Sequence, residues 1–169
     1  MGNKPNLTGF RNLSGLKFQK MTTITIKTIY QAPIETVFNI NRDITIHQQT
    51  ASKTKEIAIA GTTSGLINKN ETVTWKGKHF GVYLKHQSII SEMIFPTYFV
   101  DEQLKGHFKS FKHQHFFEQK EKYVEVTDLL EYETPYGILG KFFDVLLLKK
   151  HLIQFIIHRN SILKKLTEN

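Results

Sequence analysis

The feature that most constrains this chain is a change of period at Gly137. Before it, residues 71–134 run as strand-length segments, most of them closed by Gly or Pro. Glu71–Phe80 ends at Gly81, Tyr83–Ile94 at Pro96 and Tyr98–Leu104 at Gly106; Phe108–Gln119 follows, and Tyr123–Thr134 stops at Pro135. Gaps this short suit hairpins, so the segments are predicted to form a meander of neighbouring antiparallel strands. After Gly137 the apolar residues Leu139, Phe142, Phe143, Leu146, Ile153, Ile156, Ile157 and Leu163 recur mostly at threes and fours. That spacing predicts one long helix from Ile138 to about Leu166, with Lys149, Lys150, Arg159, Lys164 and Lys165 breaking or flanking the stripe. The late cations suit the negative end of the helix dipole.

Upstream, Thr22–Tyr30 alternates, with Ile24, Ile26, Thr28 and Tyr30 on one face, and reads as a strand with one buried side. Ala32-Pro33 opens a short helix whose stripe is Ile34, Val37, Phe38 and Ile40, and Asp43 is a suitable cap for a second one through Gln48–Ala51. Lys55–Ala60 reads as a short strand and Gly61–Gly65 as a loop. The predicted fold is therefore α+β: a curved antiparallel sheet of about seven strands around a long C-terminal helix, with two short helices after the first strand. The length of 169 residues suits one domain, taken as residues 21–169. Residues 1–20 are aperiodic and contain Lys4, Arg11, Lys17 and Lys20 but no acid, half of the net charge of +8. They read as a disordered basic tail, or as residues upstream of a true start at Met21.

Several function classes lose support at once. There is no cysteine, which excludes structural disulfides, thiolate catalysis and Cys-ligated zinc, and fits a reducing cytoplasm. The first 20 residues lack the apolar run of a signal peptide. The longest apolar stretch, Phe142–Ile157, is broken by Asp144, Lys149, Lys150 and His151, so no integral membrane association is expected. The basic balance reads as a solvated surface; no RNP-type motif accompanies it, and nucleic-acid binding is not expected. Gly61-x-x-x-Gly65 is not followed by Gly-Lys-Ser/Thr, and neither Gly-x-Ser-x-Gly nor Gly-x-Gly-x-x-Gly occurs, which removes the usual nucleotide and serine-hydrolase signatures.

Alternation places Phe111, His113, His115 and Phe117 on one face of their strand, and Val73, Trp75, Gly77 and His79 on one face of theirs. If both faces look inward, an apolar interior holds three imidazoles. Three readings follow. His113-x-His115 with His79 could supply three nitrogen ligands to a metal. The same rings, oriented by Asp101 or by Glu131 with Glu133, could act as general acids and bases. The favoured reading is that each ring packs in the wall and donates to a nearby acceptor, with no metal and no cofactor. Trp75 and Phe99 suit pocket wall and ordinary core equally, and Asp101 suits a bond to a wall histidine or an exposed turn. Lys149-Lys150 reads as a solvated helix face, and Glu71 as a strand end.

Five blocks carry a family resemblance: Ala32-Pro33-Ile34-Glu35-Thr36-Val37-Phe38; Glu71-Thr72-Val73-Thr74-Trp75 with His79-Phe80-Gly81; Phe99-Val100-Asp101-Glu102; Gly106-His107-Phe108 through His113-Gln114-His115-Phe116-Phe117; and Glu131-Tyr132-Glu133-Thr134-Pro135-Tyr136-Gly137-Ile138-Leu139-Gly140. Across residues 22–167 the chain resembles the START-like, or SRPBCC, helix-grip superfamily, and within it a bacterial cyclase/dehydrase-like subgroup. The resemblance implies this fold with a pocket; the 13 Phe and the lack of a strong catalytic signature make the expected function the binding of a hydrophobic or amphipathic small molecule, such as a lipid, a polyketide-like aromatic or an isoprenoid, in a cavity between sheet and C-terminal helix. The expected binding residues are Trp75, His79, Phe99, Asp101, Phe111, His113, His115, Phe117, Tyr132, Phe142 and Leu146. The alternative is a cyclase or dehydratase with His113, His115, His79 or Asp101 as acid/base. Ligand identity and oligomeric state are not written in these motifs.

Overall fold

The computed structural model describes residues 21–168; both expectations for residues 1–20 lie outside them. β1 (Thr22–Tyr30) is followed by α1 (Ile34–Asn41) and α2 (Ile44–Thr50). Six strands come next: β2 (Ile57–Gly61), β3 (Thr72–His79), β4 (Val82–Ile94), β5 (Tyr98–Lys105), β6 (Ser110–Gln119) and β7 (Val124–Glu133). The chain ends in α3 (Gly137–Phe143), a π-helical turn (Asp144–Leu148) and α4 (Lys149–Glu168), which together form the long C-terminal helix.

The strands make one antiparallel sheet in the order β1-β7-β6-β5-β4-β3-β2. β2 to β7 form the meander that the short gaps dictate, and β1 closes against β7, with Thr22 opposite Tyr132 and Tyr30 opposite Val124. Register shifts in β2/β3 and at two points of β4/β5 bend the sheet. Pro33 enters α1, and the Asp43 carboxylate accepts from the Ile46 amide, supplying the cap that starts α2.

Two apolar clusters lie on the inner side. One joins Tyr30, Val37, Phe38, Trp75, Phe99, Phe117, Val126 and Leu163; the other joins Ile24, Leu130, Tyr132, Leu148 and Ile156, flanked by Phe108, Phe111, Leu152 and Phe155. Asp128, on β7 between Val126 and Leu130, is fully buried at the seam between them.

The C-terminal helix differs from expectation in its first turns. Leu139, Phe142 and Leu146 are 78%, 67% and 55% exposed. The residues turned inward are Gly140, Asp144 and Leu148, spaced by four. Gly140 is buried so tightly that a Cβ there would lie 1.8 Å from the Pro135 carbonyl oxygen. Asp144, which reads in the sequence as a break in an apolar run, is the buried anchor of the π-helical turn. It accepts from the Tyr132 hydroxyl at 2.6 Å and from Thr22 Oγ1 at 2.5 Å, with Lys141 Nζ at 3.3 Å. Further along, Arg159 is buried and donates to the Asn41 side chain and main chain, tying α4 to the end of α1.

Candidate functional site

The pleat of β6 turns His113 and His115 inward, and the register sets His115 directly opposite Asp128 on β7. One carboxylate then serves both rings. His113 Nε2 lies 2.9 Å from Asp128 Oδ1, and His115 Nδ1 lies 2.9 Å from the same oxygen. The first contact is an aligned hydrogen bond; the second is close but off the hydrogen-bonding direction, so that His115 Nδ1 has no aligned partner. The other oxygen, Oδ2, accepts from Asn160 Nδ2 of α4 at 2.6 Å, and the same amide reaches Thr28 Oγ1 at 3.1 Å.

These contacts set the charges. Burial alone would raise the Asp128 pKa, but the hydrogen bond from His113 and the close approach of the His115 ring outweigh it and hold the carboxyl well below its usual range. Burial and then the neighbouring His113 push His115 down to about 3, against an opposing pull from Asp128. His115 is therefore a neutral ring at neutral pH. Phe99 stacks on it at 4.2 Å, and His113 lies 3.9 Å away on the same strand face.

His79 does not join this group. It belongs to a second one built on Glu56, whose two oxygens receive His47 Nε2 at 2.8 Å and His79 Nε2 at 3.2 Å. The other nitrogen of His79 meets His151 Nε2 of α4 at 3.1 Å. Glu56 passes over Gly77, where a Cβ would come within 2.6 Å of its Cγ. Burial would raise the Glu56 pKa; the hydrogen bonds from His47 and His79 reverse that and leave it well below normal. Burial lowers both His86 and His151.

The remaining expected residues separate by depth. Trp75, Phe99 and Phe117 are core: Phe117 packs on Phe38 at 5.0 Å, and Trp75 on His47 at 4.3 Å. The Tyr132 hydroxyl is committed to Asp144, and burial followed by that carboxylate raises its pKa. Asp101 stands opposite His113 in register and is half-buried, but the carboxylate that holds the two histidines is Asp128. Glu131 and Glu133 pair elsewhere, with Gln114 and Lys109. Phe111 and Gln103 help line an open cleft of about 360 Å³, near the last β5–β6 pair, Glu102 opposite Lys112. Phe142 and Leu146 are exposed on the helix. Inward-facing positions that keep some exposure are His79, His86, Asp101, Gln103, Phe111 and His113.

Sequence reasoning missed Asp128, Asn160, Glu56, His47 and His151. One signal for Asp128 was available: it is the single acid on the otherwise apolar face Val124, Val126, Leu130 and Tyr132. Glu56 and Asn160 carry no such mark.

No protein-family model matches the chain, and no curated protein matches it. Solved structures do. TTHA0849 from Thermus thermophilus aligns at 14% identity and TM-score 0.67, covering 84% of this chain and 97% of that one. Major latex-like protein 151 from Panax ginseng aligns at 12% and 0.66, covering 88% and 98%. A START superfamily protein from Mycobacterium smegmatis aligns at 14% and 0.65, covering 86% and 97%. No helix among the described residues is long and apolar enough to cross a membrane. With its seven-stranded sheet closed on a long C-terminal helix, the chain has the START-like helix-grip fold.

Proposed function

We propose that the protein binds a hydrophobic or amphipathic small molecule between the inner face of the sheet and the C-terminal helix. The observation that supports this reading is residual exposure on the inner face: His113 keeps 14% and His79 20% of side-chain exposure although both face inward beneath the C-terminal helix. Leu152 and Phe155 of α4, with Phe108 and Phe111, supply apolar surface worth about 25 cal/mol per Å² covered. His113 and Asp101 offer a polar end that orients a headgroup or a ring substituent.

Native mass spectrometry of the protein purified from its own host tests this directly: a retained apolar molecule is the expected result. Displacement of an anilinonaphthalene sulfonate probe by that molecule should then be lost in Leu152→Trp, which fills the space from the helix side. Probe binding that survives Leu152→Trp in a folded variant would count against the site.

A second reading is a cyclase- or dehydratase-type enzyme, favoured by one observation: His113 is held by a buried carboxylate yet remains partly reachable, the arrangement of an oriented acid/base. His113→Asn separates the readings. Retained ligand affinity with lost turnover indicates catalysis; weakened binding with no turnover in any form indicates a binding module.

A further inference from the structure

We infer that His113, His115 and Asp128 form a binding site for a divalent first-row transition-metal ion. This goes beyond the small-molecule reading and does not depend on it. The three donor atoms lie within 4.8 Å of one another, on one face of two adjacent strands. Both nitrogens are 2.9 Å from Asp128 Oδ1. Donors 2.9 Å apart, each at about 2.0–2.1 Å from a shared ion, subtend about 90°, the angle between neighbouring ligands of an octahedral site. The ion would take the place of the proton that now lies between His113 Nε2 and Oδ1, with the ring carrying its proton on Nδ1.

A second, independent observation points to a missing partner. His115 Nδ1 is completely buried and has no aligned hydrogen bond. Buried polar atoms are nearly always satisfied, and a neutral imidazole with an unused nitrogen is the form that ligates metals. The surroundings resemble a second coordination shell: Asn160 holds the non-ligating oxygen of Asp128 at 2.6 Å, and Phe99 fixes the plane of His115. His113 is the exposed member, so the remaining coordination positions open toward the interior. Two nitrogens and one carboxylate suit Zn²⁺, Fe²⁺, Co²⁺ or Mn²⁺ better than the all-oxygen cation Ca²⁺ or the thiolate-seeking Cu⁺. The Glu56 group is a weaker candidate: its histidines engage opposite oxygens, and the second nitrogen of His79 is taken by His151.

The test is titration of chelator-treated full-length protein with Co²⁺, read by visible absorption, and with Zn²⁺, read by calorimetry. The expected result is about one equivalent bound with Kd of roughly 1 μM or tighter, weakened about 100-fold in His113→Asn and about 10-fold or more in Asn160→Ala. His47→Asn and His151→Asn should stay within about threefold of wild type, since neither side chain is a donor here. Wild-type binding weaker than roughly 100 μM overturns the site, as does binding that survives His113→Asn or is lost in His151→Asn. Should His113→Asn fail to fold, NMR of the wild-type Co²⁺ complex decides: ring protons of His113 and His115 must be the shifted ones, and shifts confined to His47 and His79 overturn the proposal. An apolar probe bound without metal, or metal bound without the probe, identifies which of the two readings has failed.

Discussion

Replacing Asp128 by Asn tests the buried network with almost no change of volume. The carboxylate accepts from His113 at 2.9 Å and from Asn160 at 2.6 Å, and faces His115 at 2.9 Å. An amide keeps one acceptor but turns an NH₂ toward a donor, either Asn160 Nδ2 or His113 Nε2. Asn160 cannot simply flip to compensate, because its own oxygen accepts from Arg159 at 3.3 Å. Hydrogen bonds to a charged group are worth about 1.5–3 kcal/mol each, and removing one partner of a buried pair costs about 3–5 kcal/mol. Relief of the desolvated anion offsets part of this, and His115 carries no charge to be stranded, so the low end applies: about 3 kcal/mol. For a chain of this size that lowers Tm by about 6–12 °C. Trp75, the only Trp and buried against His47, reports unfolding in urea. The pH dependence supplies a second check. Asp128 is depressed in the fold, so its contribution is complete above the unfolded value of 3.8 and is lost as pH falls through the folded value. The gap between wild type and variant should shrink below about pH 4. A gap under about 0.5 kcal/mol, or one that widens on acidification, would refute this account of the network.

Three further outcomes are expected. His115 is depressed from 6.5 to about 3, so the unfolded chain binds the extra proton between those values; stability should fall by about 2 kcal/mol from about pH 7 to about pH 5, a slope that His115→Asn removes and that equilibrium unfolding at several pH values measures. Arg159→Met keeps the packing but orphans Asn41, and should cost about 2–3 kcal/mol in urea denaturation; a loss below about 0.5 kcal/mol would mean that the tie between α4 and α1 is unimportant. Gly140→Ala drives a Cβ into the Pro135 carbonyl and should cost roughly 2–3 kcal/mol by thermal unfolding, whereas Leu139→Gln, on the exposed side of the same turn, should stay within about 0.5 kcal/mol.

The sequence alone determined the order and type of the elements. Alternation in Thr22–Tyr30 and the turn residues at Gly81, Pro96, Gly106 and Pro135 depend on neighbours within a few positions, and so does the Asp43 cap. Those preferences are local, and the coordinates reproduce them to within one to three residues at most element ends.

What only the tertiary structure decided is partnership and phase. The motif around His113 suggested Asp101, or Glu131 with Glu133, as its carboxylate, yet strand register brings Asp128, and α4 brings Asn160 from 32 residues further on. His79 finds Glu56 and His151 in the same way, the latter 72 residues away. The helix shows the limit most clearly. Ile138, Leu139, Phe142, Phe143 and Val145–Leu148 put apolar side chains around nearly its whole circumference, so periodicity could not say which side is buried. The choice fell to Gly140, the residue small enough to approach Pro135, and to Asp144, whose carboxylate needed the donors on Thr22 and Tyr132. Close approach and a buried carboxylate's demand for donors both depend on residues distant in sequence, so they orient the helix only once the sheet has formed.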